Sequence, residues 1–492
     1  MIACKSSNIA RHLLVNSSFE AELRLPWSCF AFGGVVTVGV LFLLLNNYTP
    51  YGQTVKEADL ETTWRFSSST TIRRLSSADT SMSTSSSTTS TTPTASTAFT
   101  TKKALSEKMP KHVMSCVPFY DFLTDNLKKK IGLRVAPQTN LSLIAAYAYP
   151  DYSVVTIEGD GYWGKTAYCR YFDKDWHEIS SPVESVVYPA FAIHCCRHPR
   201  AAYMGITLTR DGEIDHTVPV LDRTVDVLLS EKQLYAQMTL RTDPKYNLSM
   251  CLAPMYGDET KWLLLTELIE HYKLQGVQHF YLCVKDIDAY SRKLIDNYVK
   301  TGEAEAIYFR EERDRPGKEW QLTGVANCVQ RSRHHSRYAI FSDMDERILA
   351  FNNKTLAQYV HTRWILRTHK PPSEYDGEDT LKKHLPTLVF HNTSVVAPNG
   401  HTAKCVLDTR RVVIMWVHYP QLLFPGYIEG YADKEDAHIR HYRDQIDDNW
   451  GKTWIHEVEQ MGNFTMTDYP THLMTPLYQN VKKRLDRVYR KS

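Results

Sequence analysis

Tyr338-Ala339-Ile340-Phe341-Ser342-Asp343-Met344-Asp345-Glu346 is an apolar run that breaks off into acids. The run is long enough for a buried strand, and the acids mark where it surfaces. Outward from it the pattern alternates. Upstream lie a short apolar strand at 249–255, a helix from Asp258 to about Leu274 with Gly276 beyond its end, and a strand at 277–284. A helix at 289–300, a strand at 303–309 and a helix at 319–336 follow. The helix over 258–274 carries Trp262, Leu265, Leu268, Ile269 and Tyr272 on one face. Strand and helix in turn predict a parallel sheet with crossover helices, whose ligands bind at the carboxyl ends of the strands. The acids fall at that edge.

The acids suggest chemistry. Asp343 and Asp345 stand two residues apart at the end of the strand, where both carboxylates must turn towards one ligand to act together. Oxygen donors suit Mn²⁺ or Mg²⁺ shared with phosphate oxygens, and such a metal stabilises a departing diphosphate. A bare Asp-x-Asp is common by chance and mostly marks solvated loop acids, so its weight comes from its placement. No G-x-x-x-x-G-K-[ST] and no G-x-G-x-x-G occurs, which removes the P-loop and dinucleotide classes. The net charge of +3 over 492 residues, with no basic stripe interleaved with aromatics, sets nucleic acid aside as a partner.

The rest of the chain frames this region. Residues 27–45 carry no charge and would span about 28 Å as a helix, close to a bilayer core. A cleaved signal peptide and a buried soluble helix are the rival readings. Lys5, Arg11 and Arg24 precede the stretch, which predicts a cytosolic tail over 1–26 and a single-pass type II membrane protein. Of residues 67–101, 24 of 35 are Ser or Thr, so 46–110 reads as a disordered stem. Residues 111–245 read as a β-rich accessory domain, with strands near 154–157, 167–172, 183–195 and 204–208. Residues 446–492 form a C-terminal helical extension, basic and amphipathic over 481–489. Eight cysteines beyond the span allow disulfides in an oxidising lumen, and no pairing is assigned. Asn140, Asn247, Asn353, Asn392 and Asn463 begin N-x-S/T tripeptides; Asn47 does too, but close to the span.

Several blocks together carry a resemblance. Lys261-Trp262-Leu263-Leu264-Leu265-Thr266-Glu267-Leu268-Ile269-Glu270, Gly276-Val277-Gln278-His279-Phe280-Tyr281, Glu319-Trp320-Gln321 and Arg331-Ser332-Arg333-His334-His335-Ser336 come first. The acids at 343–346, Met415-Trp416-Val417-His418-Tyr419-Pro420 and Arg440-His441-Tyr442-Arg443 complete the set. In this order they resemble glycosyltransferase family 92, a nematode-abundant, galactosyltransferase-like family. The resemblance implies an α/β GT-A catalytic domain over 246–445, Rossmann-like with a mostly parallel sheet, in a Golgi membrane protein whose catalytic part is lumenal. It implies inverting transfer of galactose from UDP-galactose to a glycan or glycoprotein acceptor, with Mn²⁺ (or Mg²⁺) as cofactor. Asp343 and Asp345 would hold metal and donor, His441 would complete the metal shell with His418 as second choice, and Arg443 or Arg440 would meet phosphate. An inverting transfer needs a base. Asp376, Glu378 and Asp379 are candidates, as are Glu429, Asp433 and Asp436. Trp320, Trp364, Trp416 and Trp450 are core residues by default and sugar platforms by alternative. A catalytically silent glycan-binding or scaffolding protein on the same fold and a mucin-like surface protein are the rival functions, and homo-oligomerisation stays open.

Overall fold

The computed structural model describes residues 109–224, 244–309, 319–350, 359–398, 401–444 and 449–490. All of them fall in one unit, which takes in Ser106–Ser492.

Seven strands come first: β1 (Ser142–Ala148), β2 (Tyr152–Glu158), β3 (Thr166–Phe172), β4 (Val183–Val186), β5 (Ala192–Cys196), β6 (Tyr203–Thr207) and β7 (Thr217–Asp222). A helix α1 (Tyr120–Lys128) precedes them. They form one sheet in the order β4-β3-β6-β7-β1-β2-β5. A bridge between Val187 and Ile193 ties the two edge strands, so the sheet is nearly closed into a barrel. The run expected as one strand over 183–195 is two. Pro189 cannot donate to a ladder, and the chain turns there, with Tyr188 N donating to Ala192 O at 3.1 Å. The adjacent Cys195 and Cys196 bond to different partners, Cys169 and Cys116.

The second sheet begins with β8 (Tyr246–Met255), α2 (Trp262–Leu274), β9 (His279–Val284), α3 (Ala289–Lys300), β10 (Ala304–Tyr308), α4 (Glu319–Ser332) and β11 (Ser336–Ser342). Strands β10, β9, β8 and β11 are parallel neighbours. Helix α3 starts where Asp288 accepts from Ser291 N at 2.8 Å, an ordinary side-chain cap. Helix α2 starts at Trp262 rather than beside Asp258. The preceding loop is held instead by the buried Lys261, whose ammonium donates to Gly257 O and Glu259 O at 2.7 Å each.

From Glu346 onward the pattern changes. Strands β12 (Glu346–Ala350) and β13 (Tyr359–Arg367) come before the short helices α5 (Glu378–His384) and α6 (Pro386–Val389). Strands β14 (Asn392–Thr393), β15 (Lys404–Leu407), β16 (Val412–Met415), β17 (Pro420–Leu423) and β18 (Ala437–Asp444) follow. Helix α7 (Asn449–Gln460), strand β19 (Thr465–Met466) and helix α8 (Thr471–Tyr489) end the described chain. Here β11–β15, β13–β15, β12–β18, β13–β14 and β14–β19 are antiparallel, while β13–β18 is parallel. The expectation of a Rossmann-like, mostly parallel GT-A sheet is therefore corrected. The described chain is β-rich, with a nearly closed barrel-like sheet and a mixed ten-stranded one. The alternation of strand and helix that prompted the expectation is real as far as Ser342 and does not extend beyond it.

The membrane reading is corrected as well. Among the described residues no helix is long and apolar enough to cross a membrane, so none of them supplies the single span of the type II Golgi reading. The stretch 27–45 and all but the last two residues of the stem at 46–110 lie outside the described residues.

Two packings tie the unit together. Helix α2 is buried on all sides from Trp262 to Tyr272, because α8 covers its outer face with Leu477, Val481 and Leu485. Such a helix has no polar face to show to water. Helix α4 lies between the sheets: Tyr147 of β1 donates to Asn327 at 2.7 Å, and Cys328 is bonded to Cys251 of β8. That bridge closes a loop of 77 residues. Replacing Cys251 and Cys328 together with Ala is expected to remove about 2–4 kcal/mol of unfolding free energy in urea titration. An unchanged midpoint would mean that α4 is held by packing alone.

Candidate active site

Strand β11 delivers its acids to the edge of the sheet, and the turn after it is built from side chains. Glu346 N donates to Asp343 O at 3.2 Å. The buried Glu346 carboxylate accepts from Asp343 N at 2.8 Å and from the Ser342 hydroxyl at 3.0 Å. Arg347, fully buried, donates to Met344 O at 2.8 Å and Glu346 O at 3.1 Å. Its other nitrogen reaches Glu267 of α2 at 2.8 Å and Leu264 O at 3.1 Å. Glu267, also fully buried, accepts in turn from the backbone and hydroxyl of Thr387 in α6 at 2.8 and 2.7 Å. The turn is thus bolted to α2 and α6 through one buried ion pair.

Strand β18 brings the partner for Asp345. It lies between β12 and β13, with His441 opposite both Glu346 and Trp364. His441 Nε2 stands 3.3 Å from Asp345 Oδ2, and Arg443 Nη1 3.9 Å from the same oxygen. Asp343 faces Lys404 of β15 instead, at 2.7 Å, and the same ammonium is 3.5 Å from Glu346. Lys404 is 1% exposed.

These neighbours set the charges. Burial pushes the Asp343 carboxyl up, but Lys404 outweighs it and holds the group below its usual value. Burial opposes ionisation of Asp345 too; His441 and then Arg443 reverse it and depress the carboxyl. Glu346, deepest of the three, stays raised by burial although Lys404 works against the shift. Burial would lower His441, yet Asp345 raises it. Burial and the neighbouring Lys404 push His418 down to about 3, and its Nδ1 sits 3.2 Å from Ala403 O. His418 is thus a neutral histidine anchored to backbone, whereas His441 faces the acid.

The structure brings Asp343, Asp345, His441 and Arg443 into one cluster. Arg440 serves elsewhere, buried and donating to Thr467 and to Asp468 O. Asp376, Glu378 and Asp379 are exposed at the start of α5, where Glu378 pairs with Lys382 at 3.2 Å. The adjoining Tyr375 bonds Asp486 of α8 at 2.9 Å. Among the other acids raised as bases, Glu429 has a carboxyl that burial pushes up to about 7, the range of a working general base. Trp320 and Trp364 are buried. Asn140, Asn247, Asn392 and Asn463 are exposed, and Asn353 lies outside the described residues. Sequence reasoning missed Lys404 and Arg347. A lysine inside the run Ala403-Lys404-Cys405-Val406-Leu407 was the available signal, since a charge in a buried strand requires a partner.

Residues 246–477 match the family model described as glycosyltransferase family 92. The comparison with curated proteins gives no match. Among solved structures, the chain is similar to a β-glucuronidase from Ruminococcus gnavus in complex with D-glucuronic acid, at 10% identity over 41% of this chain and 35% of that chain, with a TM-score of 0.16. It is also similar to a Lactobacillus rhamnosus β-glucuronidase, at 12% identity over 40% and 35% of the two chains, with a TM-score of 0.16. This chain therefore spans 35% of the length of those structures.

The buried ion pair makes its own forecast. Arg347→Met leaves Glu267 charged and unpaired, and is expected to cost about 3–5 kcal/mol in urea unfolding. Adding Glu267→Gln should restore part of that loss. A double variant as unstable as the sum of the singles would show that the two side chains do not act as a pair.

Proposed function

We infer, from residues 246–477 belonging to glycosyltransferase family 92, that this glycosyltransferase moves a hexose from a nucleotide-sugar donor to a hydroxyl of a glycan. Galactose from UDP-galactose, transferred with inversion, is the specific reading, and the family resemblance is what supports it. The observation that carries the assignment of the site is the contact of Asp345 with the buried His441 at the carboxyl edge of β11, with Asp343 beside it.

The donor set suits a divalent cation. Carboxylate oxygens and an imidazole nitrogen fit Mn²⁺, and carboxylates alone fit Mg²⁺. The 3.3 Å between Asp345 Oδ2 and His441 Nε2 is close to the separation of about 3 Å between neighbouring ligands of one such ion. Asp345 and His441 would hold it, with Asp343 and its Lys404 partner alongside, and a bound cation would supply charge stabilisation to a departing diphosphate. The remaining work belongs to the chain itself. Arg443, partly exposed beside Asp345, contacts a donor phosphate oxygen. Lys404 keeps Asp343 ionised and aimed. Glu346 fixes the turn through Asp343 N and so limits the motion of both acids.

Asp345→Asn keeps the size of the side chain and removes its charge. It is expected to lower turnover of UDP-galactose by about 100-fold or more, read as released UDP in the presence of Mn²⁺. Chelation of the wild-type protein should do the same, with activity returning on addition of Mn²⁺. Full turnover in Asp345→Asn would remove this site from the reaction. Turnover only with another UDP-sugar would keep the site and replace the donor.

A further inference from the structure

Strand β8 lies directly beside β11, parallel to it, with Leu252 opposite Ser342. The residues that follow the two strands therefore emerge at one edge: Asp343 and Asp345 after β11, Tyr256 after β8. Tyr256 is 54% exposed, one of few large aromatic rings so open among the described residues. Its ring lies 4.6 Å from that of Trp320, at 48°. Trp320 is itself buried, so it forms the back of the pair and leaves Tyr256 as the open face. Lys285 stands 5.8 Å from the Trp320 ring. The charges of Arg443, Asp343 and Asp345 all act on the Tyr256 hydroxyl, after the larger effect of its burial. The ring is thus a neighbour of the acidic cluster.

The loop that carries Tyr256 is held firmly. Lys285 N and Asp286 N donate to Met255 O at 2.9 and 3.1 Å. Gly257, at φ +79°, donates to Asp286 at 3.2 Å. Lys261 fixes the carbonyls of Gly257 and Glu259. An exposed aromatic ring on an immobilised loop has little conformational freedom left to lose when a flat ligand settles on it.

We propose that Tyr256, backed by Trp320, is the platform on which the nucleobase of the donor stacks. This rests on the reading of Asp343 and Asp345 as the diphosphate site. A base is tethered to its diphosphate through one ribose, so it must lie a short distance along the same strand edge, and the neighbouring strand is where Tyr256 stands. Every base offers a π-face, and stacking on an aromatic side chain is a general way to hold one. An acceptor sugar has no such tether and approaches the anomeric carbon from the side away from the diphosphate.

The test uses the full chain, with UDP and inorganic pyrophosphate as probes in calorimetry and UDP-galactose in turnover assays. Tyr256→Ala is expected to weaken UDP binding about 10-fold or more and to raise the donor KM in parallel. Pyrophosphate affinity, acceptor KM and kcat should stay near wild type. Tyr256→Phe, which keeps the ring, should retain UDP affinity. Unaltered UDP affinity in Tyr256→Ala, with turnover intact, overturns the platform and leaves the diphosphate site standing. A rise in acceptor KM alone also overturns it, by handing the ring to the acceptor. If the wild-type protein binds neither UDP nor pyrophosphate, both the platform and the diphosphate site fall.

Discussion

The Arg347–Glu267 pair is the constraint on which the site depends. Both side chains are fully buried, and their contact is 2.8 Å. Removing two charges from water costs several kcal/mol each, and only close geometry with further hydrogen bonds offsets it. Here those bonds go to three separate pieces of chain: Leu264 O in α2, Met344 O in the acidic turn, and Thr387 in α6. Met344 sits between the two aspartates, so Arg347 grips the turn at its centre from below. The chain turns after Ser342, and this grip and the Glu346 bond to Asp343 N are what hold the turn.

Charge balance follows from the same turn. Three carboxylates crowd within four residues, and Asp343 and Asp345 raise the cost of ionising one another and Glu346. Three cationic groups answer them from other strands: Lys404 from β15, and His441 and Arg443 from β18. The cluster divides into two halves. Lys404 serves Asp343 and Glu346, while His441 and Arg443 serve Asp345. In the first half the lysine is almost wholly buried, and the surface is reached through Asp343. The second reaches the surface through Arg443.

How much of this the sequence discloses depends on distance along the chain. Helix α3 is legible to the residue because an Asp cap, an amphipathic face and a flanking turn all lie within about a dozen positions. The strand ending at Ser342 is legible for the same reason, and so are the acids after it. The second half of the large sheet is not. Strands β12, β13, β15 and β18 pair across long separations and in both directions, and periodicity does not encode which strand lies beside which. His441 was singled out through the family resemblance, since nothing local connects position 441 to position 345. Lys404 and Arg347 escaped because a lone basic residue in an apolar run states that a partner exists without saying where. Trp320 shows the converse: a tryptophan open to two readings becomes a backing ring only once Tyr256 is seen against it.

The arrangement also bears on the rival reading of a silent scaffold. Buried ion pairs are poor stabilisers, and apolar side chains of similar volume often serve a fold as well or better. A scaffold built on this sheet has no need to keep Asp343, Asp345 and Glu346 side by side, where each raises the cost of charging the others. It has still less need of a lysine at 1% exposure to neutralise them. Structural acids are ordinarily satisfied one at a time, as Glu267 is by Arg347 and Thr387. A group of acids held in mutual repulsion at a strand edge, with an imidazole and a guanidinium turned towards Asp345, suits a ligand that carries both positive and negative charge. A divalent cation with a diphosphate has that character, which is why the geometry favours the transferase over the scaffold.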